Sequence, residues 1–80
     1  MLTYIDIPTT LTVPVSCAGA EDEIDLAVVI AVTVDQEAEQ AWVETVHRDD
    51  GASVSPLDSV FLEAEAWVDR RVEFILRGDI

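Results

Sequence analysis

Few residues in this sequence could carry out covalent chemistry. The only histidine is His47 and the only cysteine is Cys17, while Ser16, Ser53, Ser55 and Ser59 sit in no nucleophile motif. A base needs a nucleophile within reach, and a thiolate needs a cationic neighbour to lower its pKa; acids follow Cys17 instead. His47 therefore reads as a structural or surface residue, and Cys17 as a small apolar one. The expectation is a protein that is not an enzyme.

Oxygen ligands are more plentiful. Glu21-Asp22-Glu23 with Asp25, and Asp49-Asp50-Gly51, are dense enough in carboxylates to be compared with calcium loops. An EF-hand loop alternates its acids, puts glycine sixth and closes on a glutamate at the twelfth position, because seven oxygens must converge on one ion. Neither segment follows that order. Gly19, Gly51 and Gly78 stand alone, so neither a phosphate loop nor a dinucleotide fingerprint is present. No metal and no cofactor are expected.

The chemistry that remains is electrostatic. Seventeen acids against four arginines, with no lysine, give a net charge of −13. Such a chain cannot neutralise phosphates, which argues against direct binding to DNA, RNA or an anionic membrane. From Glu21 to Asp58 the acids are Glu21, Asp22, Glu23, Asp25, Asp35, Glu37, Glu39, Glu44, Asp49, Asp50 and Asp58, opposed by Arg48 alone. On a strand, alternate side chains lie about 7 Å apart on one face, close to the spacing of successive phosphates in an extended nucleic-acid strand. Carboxylates so displayed accept hydrogen bonds from arginine and lysine. The candidate partner-binding residues are Glu21, Asp22, Glu23, Asp25, Glu37, Glu39, Asp49 and Asp50, with Trp42 or Trp67 as an anchor if exposed. Against this stands the ordinary role of surface acid, which keeps small proteins soluble and monomeric.

The elements that must position these residues follow from periodicity. From Ile5 to Val15 the odd positions are Ile5, Ile7, Thr9, Leu11, Val13 and Val15, and the even ones are Asp6, Pro8, Thr10, Thr12 and Pro14. This is a half-buried strand. Its two prolines place it at a sheet edge or mark a bend, with Pro8 the expected break. Residues 16–22 read as a connection. Ile24, Leu26, Val28, Ile30, Val32 and Val34 then alternate as large aliphatics, the pattern of a central strand. Residues 36–47 admit a helix, with Asp35 as N-cap, or a strand. The β preference of Trp42, Val43, Thr45 and Val46 and the turn chemistry of Asp49-Asp50-Gly51 favour the strand.

The last element is a helix. Ser55-Pro56 with Asp58 resembles a capping box, and Leu57, Val60, Phe61, Ala64, Val68, Val72 and Ile75 recur at helical spacing, with Trp67 and Leu76 beside the stripe. Arg77 and Gly78 supply the last turn and the stop. The predicted fold is α+β: a three-stranded antiparallel β-sheet packed on one C-terminal α-helix, in the order β-β-β-α. A length of 80 residues allows one such domain, 1–80. One helix covers one side of a sheet, so the face bearing Ala27, Val29 and Ala31 is expected to lack cover within the chain.

Two stretches, Tyr4-Ile5-Asp6-Ile7-Pro8-Thr9-Thr10-Leu11-Thr12-Val13-Pro14-Val15 and Val46-His47-Arg48-Asp49-Asp50-Gly51 leading through Ser55-Pro56-Leu57 into a helix, resemble small acidic proteins of unknown function encoded by bacteriophages and prophages. Size and charge also look like those of phage anti-CRISPR proteins, several of which occupy nucleic-acid channels of their targets. The resemblance implies an inhibitor that binds a basic nucleic-acid-binding protein or complex in the cytoplasm of a bacterial host, as a monomer or weak homodimer. The alternative is a structural or assembly protein that self-associates through its sheet face. A single cysteine and the lack of a basic-then-apolar leader pattern agree with an intracellular setting.

Overall fold

The computed structural model describes residues 2–79, apart from the side chains of Ser16 and Cys17. The reading of Cys17 as a small apolar residue thus falls outside the described residues. The order of elements is β1 (Leu2–Cys17), β2 (Ala20–Asp35), β3 (Gln40–Arg48), α1 (Ser59–Asp69) and α2 (Val72–Arg77). The strands form one antiparallel sheet in the order β1-β2-β3, and the helices follow it, which is the predicted α+β arrangement. The ambiguous third segment is a strand.

β1 and β2 pair without a break over their whole lengths, from Leu2 opposite Asp35 to Cys17 opposite Ala20. The expected connection at 16–22 shrinks to the two-residue turn Ala18-Gly19, so Glu21 and Asp22 belong to β2. Ala18 and Gly19 have φ of 52° and 82°, the double positive φ that a primed hairpin turn requires to match the strand twist. A turn of this kind makes Cys17 and Ala20 a hydrogen-bonded pair, so the even positions of β1 turn their backbone groups outward. Pro8 and Pro14 both fall in that outward phase, where no ladder donor is missed. Pro8 therefore does not break the strand: β1 is a continuous edge strand, and its prolines interrupt the row of donors that would invite a neighbouring chain.

The core lies between the sheet and the helices. Val28, Ile30, Val32 and Val34 of β2 share it with Ile7, Leu11 and Val13 of β1, Val46 of β3, and Phe61, Ala64, Val68 and Ile75 of the helices. The alternation that was read as core continues to Ile24, yet Ile24 is 46% exposed. β3 pairs only with Val28 to Asp35, so β1 and β2 continue beyond it as a two-stranded arm, buried on its helix side at Leu11 and Val13. The molecule is accordingly elongated, 47 × 23 × 21 Å.

The helical region departs from expectation at both its start and its middle. Asp58 is the N-cap, accepting from the Val60 N–H at 2.9 Å, so Leu57 precedes the helix and is 93% exposed. Ser55 Oγ instead accepts from the Leu57 N–H at 3.2 Å. The apolar stripe runs through two helices, because Arg71 leaves helical geometry at φ −122°, ψ 12°. Its N–H bonds to the Val68 carbonyl, and its guanidinium Nη1 donates to the Trp67 carbonyl, which a continuous helix would have paired with that N–H. Gly78 adopts φ 78° and the Asp79 N–H reaches back to the Phe74 carbonyl at 2.9 Å, giving the expected glycine stop.

Two outcomes follow for stability. Ile30→Ala removes a side chain with no solvent exposure from the middle of the sheet and is expected to cost about 2–5 kcal/mol by urea denaturation. Ala18→Asn creates the Asn-Gly pair preferred in this turn and is expected to raise stability by up to about 1 kcal/mol, measured the same way.

Candidate partner-binding surface

Strand alternation divides the side chains of the sheet between a helix-covered face and an outer face. The outer face carries Tyr4, Asp6, Pro8, Thr10 and Thr12 on β1, and Glu21, Glu23, Asp25, Ala27, Val29, Ala31 and Thr33 on β2. β3 adds Trp42, Thr45 and His47, which pair with Thr33, Ala31 and Val29. Both helices pack on the opposite side, and among the described residues no element crosses this face.

One irregularity reshapes it. The register of β2 against β3 shifts between Ala31 and Val32, so Thr45 faces Ala31, Val43 faces Val32 and Glu44 is the extra residue. A bulge of this kind re-aims a side chain. Glu44 Oε1 accepts from the Thr33 hydroxyl at 2.8 Å and from the Trp42 indole N–H at 2.6 Å. Thr33 is only 1% exposed despite lying on the uncovered face, while Trp42 is 38% and Tyr4 72% exposed. Tyr4 and Trp42 are the cross-strand neighbours of Thr33. The bulge thus fixes an aromatic residue and a carboxylate side by side on the open face. Sequence reasoning counted Glu44 only as charge, since a bulge leaves no mark in a short β-rich segment.

The predicted site residues are distributed over the long axis. Glu21, Glu23 and Asp25 alternate along the outer face of the arm, opposite Ser16, Pro14 and Thr12, and Asp25 Oδ1 accepts from the Thr12 hydroxyl at 2.9 Å. Asp22 lies on the other face of the arm, where its Oδ1 accepts from the Glu23 N–H at 2.8 Å. Asp49 and Asp50 occupy the turn after β3, near the base of the arm, because the Asp49 N–H reaches the Ala27 carbonyl at 3.2 Å. Asp50 Oδ1 caps the Ala52 N–H at 2.9 Å, and residues 52–54 then fold back along the end of β3, with Val54 N–H on the Val46 carbonyl at 2.8 Å. Glu37 and Glu39 sit in the β2–β3 turn, at the far end of β2. The fold therefore gathers Glu21, Asp22, Glu23, Asp25, Asp49 and Asp50 toward the arm and separates them from Glu37 and Glu39.

The arginines are segregated from the outer face. Arg70, Arg71 and Arg77 belong to the helical layer, and Arg48 pairs with Val28 of the covered face. Arg71 stacks on Trp67 with its guanidinium carbon 4.2 Å from the ring centroid, and Arg77 bonds Glu73 at 3.3 Å. The outer face, by contrast, presents Asp6, Glu21, Glu23, Asp25, Asp35 and Glu44 with no arginine. Trp67 lines a groove beside β1 with Pro14, Glu23, Arg70 and Arg71, so the helical arginines meet the acidic row at Glu23, at the edge of the sheet, and of the two tryptophans Trp42 is the one on the open face.

Among the described residues no three His, Cys, Asp or Glu side chains converge as metal ligands would. Nor, among the described residues, is any helix long and apolar enough to cross a membrane. Compared with known proteins, the chain matches no family model, no curated protein and no solved structure.

Glu44 can be tested directly. Glu44→Ala strands the buried Thr33 hydroxyl without its acceptor and should destabilise the fold by about 1–3 kcal/mol, with a change in Trp42 fluorescence. Adding Thr33→Val removes the orphaned donor, so the double variant should be no less stable than Glu44→Ala alone.

Proposed function

We propose that the protein is a non-enzymatic binding module that engages a basic, nucleic-acid-binding protein or complex of a bacterial host and blocks access of nucleic acid to it. The observation that carries this reading is the charge on the outer sheet face: among the described residues six carboxylates and no arginine stand on it, and Arg70 and Arg71 approach the row only at the edge groove that Glu23 lines. Like charges on one face also cost stability through repulsion, a cost that a cationic partner relieves.

Spacing adds to the case. Glu21, Glu23 and Asp25 stand at alternate positions of one strand, a row about 7 Å per step, and the arm that bears them is paired to its tip. A groove built for phosphates meets in such a row the same charge at a similar interval, so its arginines and lysines can pair with carboxylates as they would with the backbone of a nucleic acid. The resemblance to small acidic phage proteins, including anti-CRISPR inhibitors, is in keeping with this role. Host cytoplasm is the corresponding location.

The test is capture from a bacterial lysate by the immobilised protein. Nucleic-acid-binding proteins should be retained at low salt, released as salt rises, and displaced by added DNA. Changing Glu21 and Glu23 to Gln and Asp25 to Asn together should weaken capture by about tenfold, as loss of several charge-assisted contacts would. Capture that is indifferent to salt, to DNA and to these changes would sink the electrostatic reading.

A further inference from the structure

The outer sheet face is not uniformly acidic. Down the central strand it is small and apolar, with Ala27 exposed and Val29 and Ala31 half-buried, and toward one end Tyr4 and Trp42 rise from the flanking strands. Carboxylates border this strip: Asp6 on β1, Asp25 toward the arm and Glu44 on β3. Asp25 is held by Thr12, and Glu44 by Thr33 and Trp42, so part of the ordering cost of pairing is already met. An apolar strip bordered by acid is complementary to a surface with an apolar stripe bordered by lysine and arginine.

Dimensions select the form of that surface. Three strands about 4.8 Å apart span about 10 Å between the outer strand axes, the width of one helix, which is about 10–12 Å across. The three-stranded part runs from Val28 to Asp35, about 26 Å at roughly 3.3 Å per residue, matching about 17 helical residues. The opposite face of the sheet already takes α1 and α2. A second copy of the chain is a poor occupant, because face-to-face pairing would oppose two sets of carboxylates with no arginine between them.

We infer that the outer face receives one lysine- or arginine-rich amphipathic helix of the partner, its apolar stripe on Ala27, Val29, Ala31 and Trp42, its basic flanks on Asp6 and Glu44, and a basic residue at one end on Asp25. Docking completes a helix–sheet–helix sandwich. The inference rests on the basic-partner reading and specifies how that partner is held.

A synthetic 17-residue peptide of lysine and leucine, with leucines at helical spacing, serves as the probe at low salt, beside a scrambled peptide of the same composition that has no stripe. The amphipathic peptide should bind one per chain and become helical by circular dichroism. It should shift the backbone amide resonances of residues 27–33 and 41–47 while leaving those of α1 and α2 in place. Ala27→Lys, a change at an exposed position, should weaken it by about tenfold. Equal binding of the scrambled peptide, or resonance shifts on the helices, would overturn helix docking and leave the basic-partner reading standing. If neither peptide binds, both readings fall. A constant affinity in Ala27→Lys would place the contact elsewhere and overturn the assigned site.

Discussion

Burial of one face of β2 is the constraint on which the rest of the molecule depends. Val28, Ile30, Val32 and Val34 can leave water only if a second layer covers them, and α1 and α2 supply it with Phe61, Ala64, Val68 and Ile75. Because side chains alternate, committing these residues to the interior commits Ala27, Val29, Ala31 and Thr33 to the other side. Among the described residues no further element covers them. An open face is thus the counterpart of the alternation that builds the core.

Where β3 stops has a comparable effect. It pairs with half of β2, so the remaining hairpin extends as a two-stranded arm in which Leu11 and Val13 of β1 are still buried while Ile24 of β2, although it continues the core alternation, is exposed. The arm holds its shape through unbroken pairing and a two-residue turn. Its edge is protected from adding strands by Pro8 and Pro14, which lie in the phase that faces away from β2. A surface that remains available to a partner without recruiting copies of itself needs both the openness and this protection.

The bulge at Glu44 links packing to surface chemistry. One extra residue in β3 gives the buried Thr33 hydroxyl an acceptor and anchors the Trp42 indole with the same oxygen. Carboxylate and aromatic are thereby presented together in a fixed relation. With no arginine among the described residues of the outer face, the proposed binding role draws on its carboxylates and on this fixed aromatic.

Much of this was legible in the residues themselves. The alternation of β1 and β2, the glycine stop at Gly78 and the β preference around Trp42 depend on local spacing, which a sequence displays directly. The segregation of arginine from the acidic face, the exposure of Ile24, the break at Arg71, and the separation of Glu37 and Glu39 from the acids of the arm were decided by tertiary structure. Each depends on which residues from distant parts of the chain come to lie opposite one another. Spacing along a chain reveals the face on which a side chain falls, but whether another layer arrives to cover that face is a matter of three-dimensional packing.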